Sequence, residues 1–475
     1  MKKKKFYLST ALPYVNSSPH VGFGLEIVQA DVVARYHRFL SEEVFFLTGT
    51  DENSLKNVQA AREEGISVKK LVDRNAKKFY ELKKTLNLSF NDFIRTTEKR
   101  HIKGAQKLWL ACEKDIYKKI YRGLYCVGCE EFYKESELEN GLCPEHQTRP
   151  ELVEEENYFF KLSQYQDKLK NIIENNGVKI IPQTRKNEVL SFINSGLEDI
   201  CISRSAERGQ GWGIPVPGDP SQILWTWYDA LGNYINAVGY SDNQKRFKKW
   251  WPADLHIVGK GIIRFHAVYW IAMLLSVRLA LPKTIFVHGY LTSAGQKMSK
   301  SLGNVVDPIA LVKKYGTDSV RYFLLREIPS TEDGDFTYEK FEQRYNADLA
   351  NGLGNLVARV ITLAKKSIIQ GPKSKINPKF KTQIDKTRRE YKKALEQFKF
   401  NEALISVWEL ISFCDRYIEK EKPWEEKSNQ KGVISNLLFA VNNIAELLQP
   451  FLPGTSEKIF QQLKTRKSKP LFPRI

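Results

Sequence analysis

The stretch that most limits the fold runs from residue 6 to residue 52. Residues 6–11 (FYLSTA) form an extended, largely apolar run. Leu25, Val28, Val32, Tyr36 and Phe39 then recur every three or four residues, which predicts a helix over 25–40. Residues 44–48 (VFFLT) return to an apolar strand pattern. Strand, helix, strand with buried strands predicts a parallel sheet and a doubly wound, Rossmann-like half-domain. Further helices are expected at about 54–64, 68–86 and 99–114. Ligands of such sheets bind beyond the carboxyl ends of the strands, where the turn at 12–14, His20 and Asp51 fall. His20 and Gly22 stand at a helix start, where free N–H groups and the dipole favour a phosphate. A carboxylate at Asp51 can bind a substrate ammonium or simply cap the helix after Asn53, and the residues leave both open.

A second loop carries chemistry. The apolar strand 284–291 leads through Gly295 into Gln296-Lys297-Met298-Ser299-Lys300-Ser301, a lysine pair on a mobile loop. Two ammonium groups there suit neutralisation of a departing polyphosphate, although a bare KxxKS pattern is more often a solvated basic loop. Asp307 and Pro308 read as N-cap and first residue of a short helix, and Gly316 separates it from another at 319–325.

Residues 117–221 interrupt the alternation. They hold Cys126-x2-Cys129 and, after thirteen residues, Cys143-x2-His146. Two such knuckles supply four ligands for one tetrahedral zinc ion, with no open position, so the ion is expected to be structural. Cys112, Cys201 and Cys414 are scattered, which excludes a disulfide framework. Short strands are expected at 157–162 and 201–204, and the second half-sheet near 223.

From Thr337 the pattern is helical. Phe341, Tyr345, Leu349, Leu353, Leu356, Val360 and Leu363 make one apolar stripe. Asn355 and Arg359, four apart, share a face at its edge, and Trp424 follows Pro423 at a helix end. Such residues can pair with or stack on an unpaired base, or form an ordinary amphipathic surface. The basic end, 464–475, is expected to fray. The net charge of +19 implies a polyanionic partner, nucleic acid or an anionic membrane surface. The longest apolar run, 267–275, is too short to span a bilayer, and no apolar stretch follows the N-terminal lysines. Nucleic acid and a cytoplasmic setting are therefore expected, with no membrane.

Together, the loop at His20 and the lysine loop resemble the HIGH and KMSKS signatures of class I aminoacyl-tRNA synthetases. Segments 10–14 (TALPY), 46–52 (FLTGTDE), 227–230 (WYDA) and 259–266 (GKGIIRFH) are similar to the methionyl members of that family. Matching motifs run in order from about Thr10 to Trp424. Phe23 departs from the pattern by replacing the second His of HIGH, Gly261 stands where many relatives carry an acidic residue, and Leu231 where many carry Pro. The resemblance implies an ATP-dependent ligase that forms methionyl-adenylate and transfers methionine to the terminal adenosine of tRNA(Met). It assigns His20, Gly22, Lys297, Ser299 and Lys300 to ATP, with His20, Lys297 and Lys300 acting in catalysis. It assigns Ala11, Leu12, Tyr14, Asp51, Trp227, Ala230, Tyr234, Ile262 and His266 to L-methionine, whose thioether needs an apolar, polarizable pocket. Asn355, Arg359 and Trp424 match the anticodon-reading positions. Zinc at Cys126, Cys129, Cys143 and His146 fits the connective domain, and Mg2+ is expected to accompany ATP.

The expected domains are residues 1–116, the first catalytic half; 117–221, the zinc-bearing insertion; 222–282, the second half; 283–338, the lysine loop and stem-contact module; and 339–475, a helical anticodon-binding bundle. The large editing insertion of the valine, isoleucine and leucine enzymes is missing. No appended C-terminal barrel of the dimerising kind is recognised, and a monomer is expected. Two rival readings are a nucleotidyltransferase, disfavoured by the helical half and the knuckle, and a tRNA-binding paralogue inactivated at Phe23, disfavoured by the intact lysines and Asp51.

Overall fold

The computed structural model describes residues 3–145, 147–298, 303–366, 376–425 and 430–475. The chain makes two compact units. One comprises Met1–Pro19, Leu40–Lys83 and Ser89–His288; the other comprises His20–Phe39, Lys84–Leu88 and Gly289–Ile475.

The first unit is built on a six-stranded parallel sheet, in the order Asp92–Arg95, Glu43–Thr50, Lys5–Thr10, Leu255–Gly259, Thr284–His288 and Lys179–Ile181. Its central strands are covered on both faces, as their unbroken apolar runs require. Helices Leu55–Glu63, Val68–Thr85 and Lys99–Cys112 fall close to where the periodicity put them. Three features differ from expectation. The edge strand Lys179–Ile181 comes from the inserted stretch, three residues too short to carry a pattern. Asp219–Leu224 pairs instead with Pro215–Val216 and Ser203–Ser205 in a separate antiparallel sheet. The parallel sheet therefore resumes at Leu255, not near 223. The insertion also carries helices Gln166–Glu174 and Gln183–Asn194 and a four-stranded antiparallel sheet whose long ribbon, Ile116–Cys126 against Glu151–Phe160, carries the knuckle at one end.

The second unit contains helix Val21–Phe39, a small three-stranded sheet in the order Gln296–Lys297, Leu291–Ser293 and Gly334–Phe336, and a helical array. The helix begins four residues earlier than its apolar stripe predicts, so Gly22 lies in its first turn. Asp307 caps helix Pro308–Tyr315 through Ile309 N–H (2.8 Å). Gly316, at φ +88, separates it from Thr317–Arg326. The stripe from Phe341 is buried as far as Val360 and half-buried at Leu363. Its first members stand four apart, more than the 3.6 of an α-helix, and the backbone answers with a π-helical stretch over Tyr345–Gly354. The wider turn keeps Tyr345, Leu349 and Leu353 on one face. The basic end does not fray. Leu471 is buried, Phe472 meets Tyr345 edge-on, and Ile475 exchanges hydrogen bonds with Asn346 (3.1 and 3.3 Å). Apolar anchors among the cations hold it. Among the described residues, no helix is long and apolar enough to cross a membrane.

Candidate active site and metal centre

In the first unit, the predicted amino-acid pocket assembles at the carboxyl ends of neighbouring parallel strands. Ala11 and Leu12 follow Lys5–Thr10, Asp51 follows Glu43–Thr50, and Ile262 and His266 follow Leu255–Gly259. Buried Ala11 and Tyr234 belong to one apolar cluster, against which half-buried Leu12, Trp227 and Ile262 pack. The Trp227 ring stacks flat on Phe265 (3.9 Å between centroids, 4° apart) and meets the edges of Tyr14 (6.3 Å) and His266 (6.4 Å). Ala230 is buried on the short helix Thr226–Leu231. The Tyr14 hydroxyl is buried without a hydrogen-bond partner.

His266 has a fixed tautomer. Its Nδ1 faces the Ile262 carbonyl (2.8 Å), which can only accept, so Nδ1 carries the proton. Nε2 then accepts from the Tyr234 hydroxyl (2.7 Å). Burial lowers the His266 pKa to about 4 and holds the ring neutral.

Asp51 is buried at the edge of this pocket. It accepts from Asn53 N–H (3.3 Å), the Thr96 hydroxyl (3.4 Å) and the Thr226 hydroxyl (3.0 Å). The following helix is capped instead by Ser54, whose hydroxyl accepts from Lys56 N–H (3.0 Å), so capping does not account for Asp51. No cation pairs with Asp51 among the described residues. Burial first, and the nearby Asp229 charge second, push its pKa well up. An apolar, aromatic cluster beside a carboxyl that no cation compensates can hold an apolar amino acid by its ammonium. Asp229, Asn53 and the Phe265 platform were not singled out by sequence; the WYDA motif contained Asp229, but nothing in the spacing placed it behind Asp51.

In the second unit, Gly22 N–H donates to His20 Nδ1 (3.1 Å). The neutral ring therefore carries its proton on Nε2, free to donate to an anion, and burial lowers its pKa to keep it neutral. A Cβ at Gly22 would fall 2.8 Å from His20 Cε1, so only glycine leaves the ring its place. Phe23 is half-buried in the same turn and offers no donor to a phosphate. Lys297 is exposed, on a short strand rather than a loop: Gln296–Lys297 returns antiparallel on Leu291–Ser293. Ala294 and Gly295, both at positive φ, make the turn, and Asp335 braces it through Gly295 N–H (2.8 Å) and the Thr292 hydroxyl (2.8 Å). Ser299 and Lys300 lie outside the described residues.

Cys126, Cys129 and Cys143 converge, their sulfurs within 4.8 Å of one another and those of Cys129 and Cys143 3.4 Å apart. The Cys126 sulfur beside it, reinforced by burial, holds the Cys129 thiol far above its usual range. Three soft donors crowded together, Cys126 and Cys143 buried and Cys129 half-buried, fit a thiophilic cation. His146, the fourth predicted ligand, lies outside the described residues. The knuckle also touches the pocket: Trp227 Nε1–H donates to the Cys129 carbonyl (3.1 Å) and Trp225 Nε1–H to that of Glu130.

On the helical array, Asn355 is exposed and Arg359 half-buried, one turn apart. Arg359 bonds Glu419 (2.6 Å), and Trp424 is 52% exposed just past helix Phe400–Glu421.

A family model described as tRNA synthetases class I (M) matches residues 6–150 and 137–361, and one described as the anticodon-binding domain of tRNA ligase matches 379–472. A methionine–tRNA ligase of Thermotoga maritima is 42% identical over 97% of this chain and 75% of its own length. One of Brucella suis is 42% identical over 99% of this chain and 94% of its own. The fold is similar to that of a Mycobacterium tuberculosis methionyl-tRNA synthetase solved with methionyl-adenylate, at 37% identity and a TM-score of 0.92, covering 99% of this chain and 100% of that one. Its sequence and its fold agree: the chain belongs to the methionine–tRNA ligase family of class I tRNA synthetases.

Proposed function

We propose that the protein activates L-methionine with ATP to methionyl-adenylate, releasing pyrophosphate, and then transfers methionine to the 3′-terminal adenosine of tRNA(Met), releasing AMP. The observation that carries the reading is the uncompensated Asp51 carboxyl beside the aromatic cleft of Leu12, Trp227 and Ile262. Asp51 accepts the substrate ammonium. Ala11, Leu12, Tyr14, Trp227, Ala230, Tyr234 and Ile262 enclose the thioether by dispersion contacts, which suit its weakly polar sulfur. His266, neutral and held by Tyr234, presents no competing charge.

The methionine carboxylate attacks the α-phosphorus of ATP and pyrophosphate leaves. No residue becomes covalently modified, so catalysis is positioning and charge neutralisation. His20 donates from Nε2 to a phosphate oxygen, with Gly22 holding the ring and the helix start adding its dipole. Lys297, Lys300 and Ser299 engage the pyrophosphate as it departs. Mg2+ would accompany ATP. Cys126, Cys129 and Cys143, with His146, would hold one zinc ion, which would stabilise the thiolates by its charge. Asn355, Arg359 and Trp424 receive the unpaired anticodon bases. We read the protein as a cytoplasmic monomer.

ATP–pyrophosphate exchange without tRNA, against a panel of single amino acids, tests the reading. Exchange with methionine alone is expected. Exchange with another aliphatic amino acid instead would overturn the pocket assignment, and tRNA binding without any exchange would leave only the binding role.

A further inference from the structure

A second acid lies behind Asp51. Asp229 is fully buried on the short helix that also carries Thr226, one of the donors to Asp51. Asn53 joins the two carboxyls: its backbone N–H reaches Asp51 (3.3 Å) and its side-chain Nδ2–H reaches Asp229 Oδ2 (3.2 Å). The other Asp229 oxygen, Oδ1, has no hydrogen-bond partner and stands 3.5 Å from His101 Nε2, itself buried without a partner. Of the nearby cations, Lys56 lies over the Tyr14 ring, 5.3 Å from its centroid, and Arg204 acts on Glu130. Glu130, on the knuckle, adds a third buried acid, but it is engaged by Leu55 N–H (2.6 Å) and the Tyr125 hydroxyl (2.5 Å). Tyr14 and His101 are neutral at pH 7, His101 because burial lowers its pKa to about 4. Among the described residues, no cation pairs with Asp51 or Asp229. Two carboxylates buried against one asparagine with no cation cannot both stay ionised, because each raises the cost of charging the other.

We propose that the substrate-free protein holds one proton on the Asp51–Asp229 pair and that the methionine ammonium displaces it, so that amino-acid binding releases a proton to solvent. The inference rests on the reading of Asp51 as the ammonium partner. Asp229 is then a positioning residue. It does not touch the substrate; it holds Asn53 against Asp51 and adds its charge to the cost of burial, so that the empty site retains a proton. The ammonium enters and stays protonated, the pair gives up H+, and the buffer takes it.

Titration calorimetry of the intact protein with L-methionine at pH 7, in buffers of different ionisation enthalpy, tests this. The slope of observed against buffer enthalpy is expected to show close to one proton released per methionine. In Asp229→Asn, which keeps the shape and the Asn53 contact, release is expected to fall severalfold, toward zero. A wild-type slope of zero or of the opposite sign overturns the proposal, as does an undiminished slope in a folded Asp229→Asn protein. If that variant does not fold, the wild-type slope alone decides. Absence of any methionine heat in the wild type would instead remove the reading of Asp51, which separates the two failures.

Discussion

At the scale of single residues, the site depends on which nitrogen or oxygen holds a proton. Gly22 lets its own N–H fix the His20 tautomer, and there is no room for a methyl group. Gly22→Ala is expected to swing the imidazole away and lower ATP–pyrophosphate exchange by about 10²-fold, the usual penalty of an ångström-scale misplacement, chiefly through ATP. Steady-state exchange at varied ATP and varied methionine checks this. His266 gives a pH prediction. Its folded pKa of about 4 lies below the ordinary value of 6.5, so between those pH values the unfolded chain binds the extra proton. Its contribution to stability is whole above pH 6.5 and is lost as pH falls toward 4. The stability of the wild type relative to His266→Gln should therefore drop by about 1.4 kcal/mol per pH unit across that window, measured by denaturant unfolding of both proteins. Taking the difference cancels the buried acids Asp51 and Asp229, which titrate with the opposite sign. Much of the pocket was legible in the sequence, since Asp51, Trp227 and His266 sit in recognisable segments. Asp229 and His101 were not, because burial of one acid behind another is set by strand pairing rather than by local pattern.

Among elements, legibility followed amphipathic contrast and length. The helices after the first two strands and the stripe from Phe341 announced themselves by period, whereas Gln166–Glu174 and Gln183–Asn194, inside the insertion, were not anticipated. Lys179–Ile181 and Gln296–Lys297 are too short to alternate, and only pairing with other strands reveals them. The π-helical stretch over Tyr345–Gly354 was written in the four-residue spacing of its apolar stripe, yet that spacing also reads as ordinary α-helix. Just past helix Phe400–Glu421, Lys422 takes a left-handed conformation and Trp424 emerges half-exposed. A ring that stacks on an unpaired base is worth about 1–3 kcal/mol. Trp424→Ala is accordingly expected to lower kcat/KM for tRNA in aminoacylation by about 10–10²-fold. Exchange assayed without tRNA is the comparison, and an equal loss there would point to misfolding instead.

Across the whole molecule, the residues proposed for the chemistry divide between the two compact units: the aromatic cluster with Asp51 and the thiol cluster in one, His20, Lys297 and Arg359 in the other. The charge of +19 belongs with the nucleic-acid partner rather than with methionine. The tRNA dissociation constant should therefore climb steeply with salt, with a log–log slope of several units, while the methionine constant barely moves; parallel titrations at 50 and 200 mM salt would show it. The indole of Trp227 has a further use. It is stacked on Phe265, lines the cleft, and donates its one N–H to the carbonyl of a thiol-cluster residue. An excited indole is sensitive to the polarity and hydrogen bonding around that N–H. The emission of Trp227, isolated from the other eight tryptophans as wild type minus Trp227→Phe, should therefore shift both when methionine enters and when a chelator strips the knuckle. One chromophore would then report in a cuvette whether the cleft is filled and whether the scaffold behind it is intact.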